Sequence, residues 1–163
     1  MNSRKHPRLA RSRKILLASA LLLALDVTFA AFTMTETTTP SLGTVLSGAS
    51  GRNFILNTDE TVSGTDAADY LFGAVTGQLS LIGENANVTI IAENIMTLGG
   101  LTVIAVPCRF HTGSQTNCDG SGISAQVKKS SARTLYVGVD LDTSQDHFGS
   151  DTASVTYDIT VYF

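Results

Sequence analysis

The last eleven residues of the chain carry the feature that most restricts its fold, an alternation of apolar and polar side chains. Every odd position is apolar, namely Ala153, Val155, Tyr157, Ile159, Val161 and Phe163. The even positions between them carry Ser154, Thr156, Asp158, Thr160 and Tyr162. A side-chain period of two is typical of a strand with one face toward a core and the other toward water. The pattern therefore predicts a half-buried antiparallel strand over residues 153–163.

A second alternating run precedes this strand. Leu135, Val137, Val139 and Leu141 alternate with Tyr136, Gly138, Asp140 and Asp142. Residues 143–150 between the two runs are mostly polar and include Gly149. Two alternating runs separated by such a stretch predict an antiparallel hairpin with a long loop.

Shorter apolar runs fill the middle of the chain. They cover residues 78–82, 87–92, 95–98 and 101–106, with Gly, Asn and Pro between or after them. The threonine-rich residues 33–39 suggest an edge strand, with a mucin-like segment as the alternative, and residues 67–74 suggest a short helical turn. Short strands at close spacing favour an all-β fold, an immunoglobulin-like antiparallel β-sandwich.

The amino terminus differs in character from the rest of the chain. Six of the 11 Lys and Arg residues fall in the first 14 positions, and an apolar run follows over residues 15–25 before Asp26. A basic segment followed by an apolar run of this length predicts a secretory signal peptide. A membrane anchor is disfavoured, because it would need about 20 apolar residues. We expect cleavage after Ala30 or Ala31, so that residues 1–30 are a signal peptide and residues 31–163 form a single domain. The mature protein is then exported, to the periplasm, the cell surface or the medium, and has no membrane span.

Loss of the signal peptide changes the charge balance. The whole chain has a formal net charge of −3, whereas residues 31–163 hold five basic and 13 acidic residues, a net charge of about −8. An acidic surface favours solubility and disfavours phosphate-rich partners. We therefore expect no binding to nucleic acid.

The only two cysteines, Cys108 and Cys118, both lie in the mature part. In an oxidising compartment a closely spaced pair predicts a disulfide. The alternative is a metal site that uses both thiols with His111 and Asp119. That arrangement lacks the paired short ligand steps of a zinc knuckle, so the disulfide is preferred.

Catalytic motifs are absent from the sequence. The mature part has only His111 and His147, and it has no G-x-S-x-G, H-E-x-x-H or Gly-rich phosphate loop. A Ser/His/Asp set could be assembled from His147 with Asp146 or Asp151 and Ser144 or Ser150, but polar loops commonly contain such residues. We expect neither an enzymatic activity nor a cofactor.

Four carboxylates near the last polar stretch could suit calcium, which prefers hard oxygen ligands. They are Asp140, Asp142, Asp146 and Asp151. Their spacing lacks the D-x-D-x-D-G order of a preformed calcium loop, so a plain acidic hairpin end is the preferred interpretation.

Three segments resemble a bacterial secreted family, domain of unknown function 4402. Residues 41–51, Ser-Leu-Gly-Thr-Val-Leu-Ser-Gly-Ala-Ser-Gly, are similar to its opening signature, with Leu42 in place of the usual Phe. Residues 78–90 resemble its central strand–Gly–strand unit, and residues 135–163 resemble its closing segment. The resemblance covers roughly residues 32–163, and the loop between the cysteines looks like an insertion.

The resemblance implies an immunoglobulin-like sandwich with similarity to fimbrial subunits and spore-coat-U-like proteins, and no catalytic activity. We therefore expect a structural or adhesive surface subunit that pairs β-strands with copies of itself or with other subunits, assisted by a periplasmic chaperone. The alternatives are a monomeric secreted binding module that uses the 108–118 loop or the acidic hairpin, and, ranked last, a secreted enzyme.

Overall fold

The strand-rich sequence folds almost entirely into antiparallel β-structure. The computed structural model describes residues 32–45, 50–144 and 153–163. The regular secondary structure of this part of the chain consists of one 3₁₀ turn, Ala67–Asp69, and strands that are joined by turns and loops. They are β1 (Thr33–Thr38), β2 (Thr44–Val45), β3 (Asn53–Leu56), β4 (Val62–Ser63), β5 (Tyr70–Phe72), β6 (Gly77–Ile82), β7 (Ala86–Leu98), β8 (Leu101–Ala105), β9 (Pro107–Phe110), β10 (Thr116–Asn117), β11 (Ile123–Val127), β12 (Arg133–Val137), β13 (Val139–Thr143) and β14 (Ser154–Tyr162).

Two sheets enclose the main core. The first has five strands in the order β1-β6-β12-β9-β10, and the second has three in the order β11-β7-β14. Their inward side chains share one cluster, which includes Leu81 and Leu135 from the first sheet and Ile90 and Val127 from the second, each fully buried. Apolar burial on facing sheets is what stabilises a sandwich. The predicted all-β sandwich is confirmed.

A second, smaller core lies under a four-stranded sheet of order β4-β3-β13-β8. Its buried members are Phe54, Leu56, Val139 and Leu141. A two-stranded pair, β2 with β5, completes the described sheets. The predicted helical turn near residue 67 is present only as the short 3₁₀ turn.

Gly138 divides the alternating run that the sequence presents as one strand. Before it, β12 belongs to the five-stranded sheet, and after it, β13 belongs to the four-stranded sheet. Its amide donates to the carbonyl oxygen of Pro107 at 2.7 Å. A Cβ atom at this position would overlap the carbonyl oxygen of Leu56, so only glycine allows the chain to pass from one sheet to the other here.

The predicted hairpin between this run and the last strand is wrong. β13 pairs with β3 and β8, whereas β14 pairs with β7. Alternation identifies the buried face of a strand, but it does not determine which strand pairs along either of its hydrogen-bonding edges. The change of sheet at Gly138 determines which strands pair with β13. The period-two pattern gives no sign of this change.

The threonine-rich segment forms β1, which among the described strands pairs with β6 alone and so lies at the edge of the five-stranded sheet, as predicted. Its first five residues are exposed. The predicted signal peptide, with its cleavage after Ala30 or Ala31, lies outside the described residues. Within the described ranges no helix is long and apolar enough to cross a membrane.

Candidate interaction surfaces

The longest edge strand in the described part of the chain is β14. Its nine residues pair with β7 on one side, from Ser154 opposite Leu98 to Tyr162 opposite Thr89, and no described strand pairs with its other side. The main-chain amide and carbonyl groups along this outer side are thus available to a further strand.

The inward face of β14 is only half-buried. Tyr157, Ile159 and Val161 pack against the main core, and Val155 packs against the smaller one. The Tyr157 hydroxyl is buried and has no hydrogen-bond partner among the described residues. Burial, together with the nearby charge of Glu36 on β1, raises the pKa of Tyr157 to about 12. The strand is therefore held by apolar contact on one face and by β7 on one edge.

The outward face of β14 carries one charge, at its centre. Asp158 lies directly opposite Glu93 of β7. Asn94 Nδ2 donates to Asp158 at 2.7 Å, and the Tyr162 hydroxyl donates to both Glu93 oxygens at 2.9 and 3.1 Å. The bond to Glu93 raises the pKa of Tyr162. Asn94 has φ 51° at a bulge where β7 gains one residue relative to β14, which explains how the apolar runs 87–92 and 95–98 join in one strand.

The two ends of the described chain meet beside β14. The Phe32 and Phe163 rings lie edge to face with centroids 5.4 Å apart. Edge-to-face contact is a favoured geometry for aromatic pairs. The contact places the edge strands β1 and β14 on the same side of the sandwich.

The predicted disulfide between Cys108 and Cys118 is present, and both cysteines are fully buried. The Cys118 amide donates to Val106 O at 2.8 Å, while Ala92 N, on β7, donates to Cys118 O at 3.0 Å. The bridge thereby anchors β10 to both sheets of the main core. Because the two sulfur atoms are bonded to each other, the alternative metal site is wrong.

The other residues of that alternative have different roles. Asp119 Oδ1 accepts from Val106 N at 2.9 Å, and His111 is exposed with φ 54° at a turn. Among the described residues no group of three or more His, Cys, Asp or Glu side chains is arranged to hold a metal.

Arg109 organises a polar network that the sequence patterns did not reveal. Its guanidinium donates to Thr58 O at 3.0 Å and lies 4.2 Å from the centroid of the Tyr136 ring. Gln115 Oε1 accepts from the Thr58 amide at 2.9 Å and from its hydroxyl at 2.8 Å. Thr58 is buried, so these bonds satisfy groups that water cannot reach. The network ties the loop closed by the disulfide to the turn after β3.

A groove of about 520 Å³ lies on the side of the sandwich opposite β14. It runs between β10, the edge of the five-stranded sheet, and β11, the edge of the three-stranded sheet. The residues that line it include Phe110, Thr116, Asn117, Ile123, Ser124 and Gln126. None of its lining residues is charged.

The structure pairs only two of the four proposed calcium ligands. Asn53 Nδ2 donates to Asp140 at 3.0 Å and to Asp142 at 2.9 Å, so one amide bridges both carboxylates. Asp146 and Asp151 lie outside the described residues. Among the residues weighed for a catalytic set, the Ser144 hydroxyl donates to Gly100 O at 2.9 Å. The other two members of the catalytic alternative, His147 and Ser150, also lie outside the described residues.

Asp66 and Asp69 form a second acidic pair near Asn53, and the Arg52 guanidinium offsets their negative charge. Arg52 contacts Asp66 at 2.6 Å and Asp69 at 3.2 Å. The bond from the Asn53 amide, followed by that from Arg52, lowers the pKa of Asp66. These partners hold the turn before β5 against the start of β3.

Comparison with known proteins does not identify a relative. The chain matches no family model, no curated protein and no solved structure.

Proposed function

We propose that this chain is an exported, non-enzymatic structural or adhesive subunit of the cell surface that binds its partners by β-strand pairing along β14. The observation that carries the proposal is the unpaired outer side of this nine-residue strand. Adding a partner strand there would extend the three-stranded sheet and satisfy main-chain groups with which no described strand pairs. The partner is a strand of another surface subunit or of a further copy of this chain, with a periplasmic chaperone protecting the edge before assembly.

The other edge strands in the described sheets are all shorter than β14, including β8, which has five residues at the edge of the four-stranded sheet. β10 has two residues, and β4 has two. On β11, Arg133 Nη1 already donates to Gln126 O at 2.9 Å, which engages a main-chain acceptor of that strand. β1 has six residues, of which five are exposed, so it contributes little apolar surface to a new interface. β14 combines length, a half-buried apolar face and an open side.

Asp158 restricts which strand can pair there. A two-fold pairing of β14 with β14 of another copy over all nine residues would place Asp158 opposite its own equivalent. Like charges directly opposite each other destabilise a strand pair. We therefore expect a partner strand of different sequence, with an uncharged or basic residue opposite Asp158.

The proposal is tested by two lysines on the open strand, Thr156→Lys with Thr160→Lys, since charges on an edge oppose pairing. The control is Thr35→Lys on β1, another exposed edge threonine. Light scattering after size-exclusion chromatography, with and without a periplasmic chaperone, should show wild-type complexes that the β14 variant loses and the β1 variant keeps. A wild-type protein that stays monomeric and needs no chaperone would contradict the proposal.

The alternative is a monomeric secreted binding module that uses the 108–118 loop. The groove between β10 and β11 is the observation that favours it, because uncharged polar side chains and the half-buried Phe110 and Ile123 line the same groove. This alternative predicts ligand binding by the isolated monomer and no effect of the β14 lysines.

A further inference from the structure

The groove between β10 and β11 has a chemical character unlike the rest of the molecule. Ser114, Thr116, Asn117, Ser124 and Gln126 line it, and none of their side chains hydrogen-bonds to another group in the described part of the chain. The neighbouring Gln115 points away and is occupied by Thr58 and Asn57. Hydroxyl and amide groups of the 108–118 loop and of β11 that have no hydrogen-bond partner among the described residues therefore line the groove.

Two apolar residues lie among these polar groups. Phe110 and Ile123 line the groove and are each half-buried against the main core. An apolar surface combined with a few polar groups that offer both donors and acceptors is the usual composition of a small-ligand site. The ligand that fits has many hydroxyls, an apolar face and no charge.

From this combination we infer that the groove binds a neutral oligosaccharide. Sugar hydroxyls would exchange hydrogen bonds with the amides of Asn117 and Gln126, while a C–H face of the sugar ring would contact Phe110 or Ile123. Anionic sugars are disfavoured, because the groove has no cationic side chain and residues 31–163 have a net charge of about −8. The inference is independent of strand pairing along β14, which lies at the opposite edge of the three-stranded sheet.

A peptide strand is a poorer occupant of the same groove. Strand addition would need a continuous row of free main-chain groups, but β10 has only two residues. On β11, Arg133 already occupies the carbonyl oxygen of Gln126. Recognition of a polyhydroxylated ligand by side chains does not require free main-chain groups on β10 or on β11.

The inference is tested by applying the exported protein to an array of immobilised neutral, sialylated and sulfated oligosaccharides. The neutral oligosaccharide that binds best is then titrated in solution. We expect binding to neutral members, an affinity loss of about 10-fold or more in the Asn117→Ala/Gln126→Ala variant, and a smaller loss in Thr116→Ala. Thr35→Ala on β1, a matched exposed threonine, should leave the affinity unchanged.

Three results would overturn the inference: no neutral oligosaccharide bound, preference for the charged sets, or affinity unchanged in the Asn117→Ala/Gln126→Ala variant. Competition by an uncharged extended peptide that displaces the sugar with higher affinity would assign the groove to strand addition instead. The Thr156→Lys/Thr160→Lys variant should still bind the sugar. Loss of assembly through β14 and loss of sugar binding in the groove can therefore be distinguished.

Discussion

Asp158 and Glu93 lie directly opposite each other on the outer face of the β14–β7 pair, so two carboxylates are neighbours at an otherwise uncharged part of the sheet. No Lys or Arg forms an ion pair with either of them in the described part of the chain. Instead Asn94 donates to one and Tyr162 to the other. The repulsion between the Asp158 and Glu93 carboxylates is therefore not offset by a cationic side chain in the described part of the chain.

We expect Asp158→Asn to stabilise the folded monomer by about 0.2–1 kcal/mol, because like charges directly opposite on paired strands destabilise them by that order. The amide oxygen can still accept the bond from Asn94. The variant should also self-associate at lower protein concentration than wild type, since the charge that opposes β14–β14 pairing is gone. Urea unfolding and sedimentation velocity measure the two effects. Glu36→Gln on β1 is the control, and equal changes in both variants would argue against a specific role of Asp158.

Tyr157→Phe should stabilise the protein at neutral pH by about 1 kcal/mol or more. Its hydroxyl is buried with no partner in the described part of the chain, and an unsatisfied buried polar group costs about 1–3 kcal/mol. Tyr70→Phe is the matched control, because the Ala74 amide donates to the Tyr70 hydroxyl at 2.9 Å. That variant should lose stability by about 1 kcal/mol in the same urea titration. Destabilisation by Tyr157→Phe would show that the hydroxyl does have a partner.

The raised pKa of Tyr157 also predicts a dependence of stability on alkaline pH. The pKa rises from 10.0 to about 12 on folding, so the unfolded chain releases this proton first. The contribution to stability is constant below pH 10 and is lost as the pH rises from 10 to 12. The loss is on the order of 3 kcal/mol and should be missing in Tyr157→Phe. Unfolding free energies of both proteins at pH 8 and pH 11.5 measure it; parallel pH profiles would contradict the assignment.

Gly138→Ala should destabilise the protein by about 3 kcal/mol or more, because the added methyl group would overlap the Leu56 carbonyl oxygen at the point where the chain changes sheets. Gly120→Ala provides the comparison: it has open space around its Cβ position but a φ of 70°. Its cost should be limited to the backbone strain of about 1 kcal/mol. Thermal unfolding ranks the two. Similar losses of stability in the two variants would mean that the backbone at Leu56 shifts at little cost to accommodate the added methyl group.

The sequence patterns predict those parts of the fold that depend on local information. The alternation in residues 153–163 identifies β14 and its buried face, and the threonine-rich segment identifies β1 as an edge strand. Strand partnership depends on distant residues, so the hairpin expected before β14 does not form. Gly138 sends β13 into another sheet for a steric reason that involves Leu56, 82 positions away in the chain.

The same distinction applies to the candidate sites. The disulfide was predictable because it depends on two residues of one rare type. The Arg109 network and the groove were not, because they combine side chains of separate segments, such as Thr58 with Gln115 and Asn117 with Gln126. The bulge at Asn94, which carries a positive φ, was a further local feature that alternation alone could not locate.

Hydrogen exchange of β14 in the assembled and the isolated protein shows whether a partner strand pairs with β14. If a partner strand pairs with the open side, amides of Ser154–Tyr162 that exchange quickly in the isolated protein become protected in the assembly. The account predicts this gain on β14 while β1 and β11 keep their exchange rates. Unchanged exchange on β14, with protection gained on another edge strand, would contradict it.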